Sequence, residues 1–341
     1  MNGPAIWNAA PPSCYTSTAA RMAKEVHILL VRLGAFGDVL HTLPAAASLR
    51  RSIPGARLTW AIDPKWQWLL AGNPDVDCAL AVDRRSTKSL KAAWRYLREK
   101  PVDIAVDAQG LIKSGLIVRA SQAARRIGFA APFLRERAAG FFYTEQIAPR
   151  GTHVVDWNLD LAAAAGATAR IVDAPIPAGR PEGDLPTKPF VLACPFAGWE
   201  AKQWPLEHYD ALAKLLSGTG HALVLNVAAR CDSPVFQHIS GLPGLIDATR
   251  RATAVVGLDS GPLHLAAALK KPGVALFGPT DPARNGPYGG TIRTLRDAGA
   301  PTSYRRTNEI LPCMRALTPH MVFEQLLPCL TTAFPNPTPT R

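Results

Sequence analysis

A glycine corner followed at once by an acid is the first point in this sequence at which chemistry can be expected. The apolar run "VHILLVRL" leads into Gly34-Ala35-Phe36-Gly37, and Asp38 follows directly. Glycines at such a corner would let a bulky ligand approach the backbone closely. Two interpretations of Asp38 remain open. In the first turn of a helix it would cap free N–H groups, and as an accessible carboxylate it would act as a general base.

A lysine marks a second corner, in the stretch "GWEAKQWPLEHY". Lys202 precedes Pro205, which is well placed to be the first residue of a helix. A lysine beside a helix N-terminus can bind phosphate, because the ammonium and the free N–H groups face the same anion. An exposed surface lysine explains the pattern equally well, and Trp204 is expected to pack in the core.

The third corner, "GLDSGPLHLAAAL", combines an acid, a hydroxyl and a glycine before a helix. Asp259, Ser260 and Gly261 form the predicted turn, where Ser260 can cap the helix and Gly261 permits backbone approach. The free amides of this turn would suit a diphosphate. His264 either faces the same cleft or is a structural histidine. The turn-rich loop 277–289 could bind the base or the ribose of a nucleotide.

Alternating strands and helices must position these corners. In the first half we predict strands at 26–33, 56–62, 78–82 and 102–108, and helices at 45–53 and 89–100. In the second half we predict strands at 190–196 and 221–228 around a helix at 206–217, a strand–turn–helix–strand unit at 253–278 and a late helix at 318–330. Near-continuous apolar strands in this alternation indicate parallel sheets that are covered on both faces. The fold class is therefore α/β, with two doubly wound, Rossmann-like domains whose ligands bind beyond the carboxyl ends of the strands.

The chain has 341 residues, which is enough for two such domains. The Pro- and Gly-rich stretch 173–189 is the best candidate for the link between them. The expected division is a disordered tail at 1–24, a first domain at 25–178, a linker at 179–189, a second domain at 190–317, a C-terminal helix at 318–333 and a frayed tail at 334–341. Met22 is an alternative start of translation.

Composition excludes several classes of protein. The chain is 48% hydrophobic and 19% charged, which is typical of a soluble globular protein, and it has no apolar run of about 18 residues or more. The first 21 residues do not have the pattern of a secretion signal. Six dispersed cysteines without a C-x-x-C pair, and the lack of a histidine cluster, argue against a metal site or a disulfide framework. Neither a G-x-G-x-x-G nor a P-loop pattern is present, which argues against a nicotinamide dehydrogenase.

Positive charge is concentrated in one segment of the chain. The net charge is +12, and residues 81–140 hold thirteen Lys and Arg against five Asp and Glu. Such a segment attracts nucleic acid, an anionic membrane or a phosphorylated substrate, or it is merely a solvated surface. Nucleic acid is not favoured, because neither interleaved aromatic residues nor a known reader motif is evident.

Four ordered motifs resemble those of the lipopolysaccharide heptosyltransferases, which form glycosyltransferase family nine. They are "GDVLHTLPA" (37–45), "DAQGLIKS" (107–114), "KQWP" (202–205) and "LDSGPLHLAAAL…VALFGPTDP" (258–282), and the similarity runs from about residue 25 to about residue 330. The first two motifs are most similar to the heptosyltransferase I branch. The resemblance implies a GT-B fold, in which two Rossmann-like domains face each other across a cleft.

The resemblance also implies a reaction. Heptose would move from ADP-heptose to the Kdo sugar of Kdo-lipid A, with inversion of the anomeric centre and without a metal or other cofactor. The protein would be a cytoplasmic monomer, peripheral to the cytoplasmic face of the inner membrane, and nucleic acid would not be a partner. The alternative is a related GT-B transferase that adds a later core sugar or uses another sugar nucleotide. The ribose loop supports that alternative, since it carries Arg230 and Asp232 where relatives carry a glutamate.

Transferred to this sequence, the resemblance assigns roles to individual residues. Asp38 would be the general base, and Lys202 would stabilise the leaving diphosphate. The residues implied in donor binding are Gly198, Lys202, Asp259, Ser260, Gly261 and His264. The residues implied in acceptor binding are Gly37, Arg84, Arg85, Lys88, Gln109, Lys113 and Arg135.

Overall fold

The computed structural model describes residues 25–331, and two parallel sheets of six strands form its frame. The predicted tails at 1–24 and 334–341 and the alternative start at Met22 lie outside the described residues. We refer to residues 25–172 as the first lobe and to residues 190–331 as the second lobe. The predicted α/β fold with two doubly wound sheets is confirmed.

The first lobe carries one sheet and four α-helices. Its strands are β1 (His27–Val31), β2 (Arg57–Ile62), β3 (Cys78–Ala81), β4 (Ile104–Asp107), β5 (Arg125–Phe129) and β6 (Glu145–Ile147). Its helices are α1 (Phe36–Ser52), α2 (Thr87–Glu99), α3 (Ile112–Ala120) and α4 (Val154–Ala164), with 3₁₀ segments at Pro64–Leu70, Ala131–Phe133 and Arg137–Phe142. Every residue of β1 is buried, as expected for a central strand that is covered on both faces.

The second lobe repeats this architecture. Its strands are β7 (Phe190–Ala193), β8 (Ala222–Val227), β9 (Phe236–Ile239), β10 (Ala254–Leu258), β11 (Gly273–Phe277) and β12 (Ile292–Arg296). Its helices are α5 (Leu206–Ser217), α6 (Leu242–Arg251), α7 (Gly261–Ala268), α8 (Pro282–Asn285), α9 (Pro312–Arg315) and α10 (Pro319–Thr331), with a 3₁₀ segment at Glu200–Lys202. The helix predicted at 206–217 has the observed bounds of α5.

Strand order explains where the functional corners lie. The sheets run β3-β2-β1-β4-β5-β6 and β12-β11-β10-β7-β8-β9, so the order reverses between β1 and β4 in one and between β7 and β10 in the other. A crevice opens at such a switch point, outside the carboxyl ends of the two central strands. Asp38 follows β1, and Asp259 follows β10. Both corners therefore lie at switch points.

Helix α1 is longer than the sequence indicates. It begins at Phe36 rather than at residue 45, and it runs through Pro44, which normally ends or kinks a helix. The helix packs against both α4 and α7, and nearly all of its residues from Phe36 to Leu49 are buried. Tertiary packing therefore maintains the helix across the proline.

The two lobes share one apolar core. A continuous cluster of buried side chains joins β1 and α1 in the first lobe to α7 and β11 in the second. Residues 173–189 contain no helix or strand, and they contact both lobes. Asn73 Nδ2 donates to the carbonyl of Pro175, and Glu182 Oε2 accepts from the N–H groups of Gly241 and Gly244. The expected domain bounds within this stretch remain a prediction.

Candidate active site

Asp38 lies in the first turn of α1, directly beyond the carboxyl end of β1. Its Oδ2 is 2.5 Å from a guanidinium nitrogen of Arg32 and accepts a 3.1 Å hydrogen bond from the backbone N–H of Ala35. The side chain still exposes 40% of its surface. Both interpretations of Asp38 are therefore compatible with the structure, since the carboxylate caps α1 and is also accessible in the cleft.

Gly37 and Gly261 lie where the N-terminal turns of α1 and α7 meet. A Cβ on Gly37 would be 2.4 Å from Cδ2 of His264, and a Cβ on Gly261 would be 2.1 Å from Cδ1 of Phe36. Glycine at both positions therefore allows the lobes to touch. Gly34 is likewise packed against the indole of Trp66. The expected approach of a bulky ligand to the first glycine corner remains a prediction.

The stretch that carries Lys202 and the turn that carries Asp259 meet at a buried ion pair. Lys202 Nζ lies 2.5 Å from Oδ2 of Asp259, and both side chains are largely shielded from solvent. The indole of Trp199 covers the same ammonium, 4.2 Å from its ring centroid. His264 Nε2 lies 3.8 Å from the other carboxylate oxygen. Lys202 is thus not a free surface lysine, and Trp204 is a core residue with 1% exposure, as expected.

Several buried polar atoms near this ion pair have no partner among the described residues. They are the hydroxyls of Ser260 and Thr280, Nδ1 of His264 and both ring nitrogens of His41. Ser260 precedes α7 but makes no capping hydrogen bond, so the prediction that its side chain caps the helix is wrong. Buried polar groups are usually hydrogen-bonded, and these hydroxyls and ring nitrogens are therefore available to a ligand.

Three histidines line the contact between the lobes as neutral rings. Burial lowers the pKa of His264 to about 4, and the nearby carboxylates of Asp259 and Asp38 only partly offset this effect. Burial also lowers the pKa of His41 well below its usual range, and the neighbouring imidazoles of His264 and His153 add to that effect. The ring centroid of His41 is 4.1 Å from that of His264 and 5.5 Å from that of His153. His264 is thus both a buried structural histidine and part of the cleft wall.

A cavity of about 840 Å³ lies between the lobes. Its wall in the first lobe includes Asp38 and Gly37, and its wall in the second lobe includes Lys202, Asp259, Ser260, Gly261 and His264. Gly198 is exposed and does not line this cavity. The structure therefore brings most of the implied donor-binding residues to one place, opposite the carboxylate of Asp38.

A second cavity, of about 770 Å³, adjoins the first, and seven cations and three acids line it. We call it the cationic cavity. Of the implied acceptor-binding residues it contains Arg84, Arg85, Gln109, Lys113 and Arg135. Lys88 is exposed and lines neither cavity. Asp38 lines both cavities, which places its carboxylate at their junction.

Gln109 connects the second cavity to the chain just before the glycine corner. Its Oε1 accepts a 2.8 Å hydrogen bond from the N–H of Leu33. Asp107, at the end of β4, is fully buried and accepts hydrogen bonds from Tyr143 Oη and from the N–H groups of Gln109 and Gly110. Burial raises the pKa of Asp107 despite these donors. Asp107 therefore shapes the loop that presents Gln109.

Several residues of the cleft were not predicted from the sequence. Arg32 binds Asp38, and Arg306 stacks over Trp199 with 5.2 Å between the guanidinium carbon and the ring centroid. Arg284 lies over both Trp157 and Tyr304. A sequence signal for Arg32 exists, since it is the only Lys or Arg in the apolar run 26–33 that precedes Gly34. The two other arginines lie outside the predicted helices and strands and carry no periodic signal.

No helix between residues 25 and 331 is long and apolar enough to cross a membrane. In the same range, no group of three or more His, Cys, Asp and Glu side chains is arranged to hold a metal ion.

Two doubly wound lobes around a cleft, with a carboxylate on one wall and a lysine and free amides on the other, define the GT-B class of glycosyltransferases. The family model described as glycosyltransferase family 9 (heptosyltransferase) matches residues 90–313. The chain belongs to this family and is a glycosyltransferase. This assignment confirms the resemblance drawn from the four sequence motifs.

Individual relatives are similar over most of their length. Lipopolysaccharide heptosyltransferase 1 of Pseudomonas aeruginosa is 30% identical, with 77% of this chain and 82% of the relative covered. The enzyme of the same name from Escherichia coli K12 is 28% identical, with 77% and 91% covered.

Solved structures share the fold. The E. coli heptosyltransferase WaaC with ADP has a TM-score of 0.72 at 24% identity, covering 89% of this chain and all of the other. WaaC with ADP-2-deoxy-2-fluoro heptose has a TM-score of 0.67 at 25% identity, covering 88% of this chain and 98% of the other.

Proposed function

We propose that the protein transfers heptose from ADP-heptose to the Kdo sugar of Kdo-lipid A, with inversion at the anomeric carbon. The observation that carries this proposal is the position of Asp38 at the junction of two cavities. One cavity has hydrogen-bonding groups suited to a nucleotide diphosphate, and the other has cations suited to an acidic acceptor. An inverting displacement needs a base on the acceptor side and a stabilised leaving group on the other.

In the proposed reaction, Asp38 removes the proton from the attacking hydroxyl of the acceptor. Both contacts of its carboxylate use Oδ2, and among the described residues Oδ1 makes none. Oδ1 is therefore the oxygen that accepts the proton. The acceptor oxygen then attacks the anomeric carbon from the face opposite the diphosphate, and the bond to ADP breaks.

The second lobe receives the charge that develops on the leaving diphosphate. Lys202 donates to Oδ2 of Asp259 and makes a longer contact of 3.5 Å with the carbonyl of Asp259. Since an ammonium carries three donors, at least one is left for a phosphate oxygen. The N-terminus of α7 adds the backbone N–H of Gly261 and the positive end of the helix dipole, whereas Pro262 has no N–H and Leu263 already donates to the carbonyl of Ser260. Ser260 and Thr280 add unpartnered hydroxyls. Asp259 would accept a hydrogen bond from a heptose hydroxyl.

The cations of the second cavity would bind the acceptor. Arg84, Arg85, Lys113 and Arg135 all line it. Guanidinium groups form paired hydrogen bonds to carboxylates and phosphates, which are the anionic groups of Kdo and lipid A. Such an acceptor is anchored in a membrane, and we infer that the protein works as a monomer at the cytoplasmic face of the inner membrane.

The test is a direct transfer assay. Purified protein is incubated with ADP-heptose and Kdo-lipid A, and we expect release of ADP together with a mass gain of one heptosyl residue on the acceptor. Parallel reactions replace ADP-heptose by UDP- or GDP-sugars, or Kdo-lipid A by an acceptor that already carries one heptose. Turnover restricted to one of these substitutes would support the related transferase instead.

A further inference from the structure

Exposed apolar side chains cluster on one face of the first lobe. Among the described residues, twelve large apolar side chains are exposed, and five of them lie between residues 90 and 141. We call these five residues the apolar face, and they are Leu90, Trp94, Ile112, Leu116 and Phe141. Phe141 exposes 91% of its surface, and Trp94 and Leu116 each expose more than half. Single exposed apolar residues are common, but a group of this kind indicates an interaction surface.

Three adjacent elements carry this face. Leu90 and Trp94 lie one turn apart on α2, and Ile112 and Leu116 lie one turn apart on α3. Helix α3 contacts both α2 and the 3₁₀ segment Arg137–Phe142, which carries Phe141. The contact with the 3₁₀ segment is close, since a Cβ on Gly115 would be 2.4 Å from Cδ2 of Phe142. The three elements that carry the five side chains are therefore in contact with one another.

Basic side chains surround the apolar face. Helix α2 buries Ala93 and Leu97 and exposes four cations on its remaining surface: Lys88, Lys91, Arg95 and Arg98. The guanidinium of Arg98 lies 4.7 Å from the ring centroid of Trp94. Arg119 on α3 and Arg137 on the 3₁₀ segment are exposed as well. An exposed tryptophan among cations is typical of a helix that lies in the interface of an anionic bilayer.

The cationic cavity is lined by residues on or just before these three elements. Arg84 and Arg85 lie in the loop before α2, Lys113 lies on α3, and Arg135 lies two residues before the 3₁₀ segment. The apolar face and the cations of the cavity thus belong to neighbouring parts of the first lobe. A molecule with an acidic head and acyl chains would meet both surfaces at once.

We propose that the apolar face inserts into the headgroup region of an anionic bilayer and directs the cationic cavity towards it. This proposal extends the proposed function, since it names the surface by which the protein would reach a membrane-anchored acceptor. Charge complementarity favours a bilayer over a second copy of the chain, because residues 81–140 carry an excess of eight positive charges and would repel themselves.

Vesicle sedimentation with the full chain tests the proposal. The vesicles contain phosphatidylcholine with about 30% phosphatidylglycerol or phosphatidylcholine alone, and neither contains an acceptor. We expect binding to the anionic vesicles and much less to the neutral ones. The double variant Trp94→Ser/Phe141→Ser should lower the partition coefficient by about tenfold or more, because two buried aromatic rings are lost from the bilayer. The charge reversal Lys91→Glu/Arg98→Glu should cause a loss of similar size.

Matched controls separate this surface from general effects. Met321→Ser/Leu327→Ser removes two exposed apolar side chains from α10, and Lys188→Glu/Lys214→Glu reverses two exposed charges elsewhere. Both controls should bind anionic vesicles nearly as the parent does. Trp94→Ser/Phe141→Ser should also keep its kcat/KM on a soluble acceptor without acyl chains and lose activity on an acceptor embedded in vesicles.

Three outcomes would overturn the proposal. The parent fails to bind anionic vesicles, Trp94→Ser/Phe141→Ser binds as tightly as the parent, or light scattering finds a dimer that this variant converts to a monomer. The last result would make the apolar face a contact between copies. Failure of the proposed function would give a different result. The parent would then turn over neither the soluble nor the embedded acceptor, but it would still bind the anionic vesicles.

Discussion

The guanidinium of Arg32 binds Oδ2 of Asp38, the same carboxylate oxygen that caps α1. Arg32 is itself fixed, because its guanidinium donates to the carbonyl of Ala108 and its own carbonyl accepts from the indole of Trp60. One oxygen of the carboxylate is therefore held by the protein, while the side chain as a whole is 40% exposed and lines the cleft. An interaction of this kind orients a general base before the acceptor arrives.

Replacement of Arg32 should impair the chemical step without impairing donor binding. We expect Arg32→Gln to lower kcat by about tenfold or more, because the carboxylate loses its orientation, while the Kd for ADP stays the same. Arg32→Lys keeps one charged donor and should recover part of the rate. Steady-state kinetics and calorimetry with ADP measure the two quantities. A loss of ADP affinity that parallels the loss of rate would show that Arg32 acts on the donor site instead.

Lys202 should affect both affinity and rate. Lys202→Ala removes the donor to phosphate and leaves the carboxylate of Asp259 buried without its partner. A charge-assisted hydrogen bond contributes about 1.5–3 kcal/mol, so the Kd for ADP should rise about 10- to 100-fold. The double variant Lys202→Ala/Asp259→Asn separates the two effects. It should restore thermal stability without restoring ADP binding, and recovery of ADP binding would count against the role of the lysine.

The contact between α1 and α7 should depend on glycine. Gly37→Ala and Gly261→Ala should each lower stability by about 1–3 kcal/mol, since the added methyl group would overlap His264 or Phe36. Gly198→Ala is the matched control, because nothing lies within 4 Å of its Cβ position. Thermal unfolding compares the three variants. If Gly37→Ala melted like Gly198→Ala, the lobes would not be packed as closely as described.

Acid should destabilise the protein through His264. The pKa of this residue is about 4 when folded and near 6.5 when unfolded, so between these values the unfolded chain binds more protons. Stability is therefore complete above pH 6.5, and as much as about 3 kcal/mol is lost as the pH falls towards 4. The slope of Tm against pH between 6.5 and 4.5 measures the effect. His264→Gln should make that slope shallower, while other buried histidines with a lowered pKa, such as His41, still contribute to it. An unchanged slope in His264→Gln would contradict the assignment.

The sequence predicts the framework of this protein well where the apolar pattern is strong. The buried strands β1, β7 and β10 and the amphipathic helix α5 lie where the pattern places them. Predictions failed where packing overrides a local signal. Because Pro44 normally ends or kinks a helix, the turns of α1 that precede it were not predicted. Tertiary contacts keep these turns helical.

The edge strands β6 and β9 were missed for a different reason. They have three and four residues, and only one residue of the two strands is buried. Such short segments have too little periodicity to be distinguished from loops. Strand pairing, rather than local composition, defines them.

Residue types indicated the site, but its three-dimensional contacts could not be predicted. Asp38, Lys202 and Asp259 follow strands and could be selected from the sequence alone. Pairing of Lys202 with Asp259, 57 positions away, depends on the arrangement of β7 and β10 at the switch point. The packing role of Gly37 could not be predicted either, because its neighbour His264 belongs to the other lobe.

Single-turnover kinetics of Asp38→Asn with ADP-heptose and Kdo-lipid A test the central claim most directly. The substitution keeps the shape of the side chain and removes its ability to accept a proton. We expect the rate of heptosyl transfer to fall by about 10²- to 10⁴-fold while the Kd for ADP stays within about twofold of the parent value. A transfer rate close to that of the parent would show that another group removes the proton, and Asp38 would then be a helix cap alone.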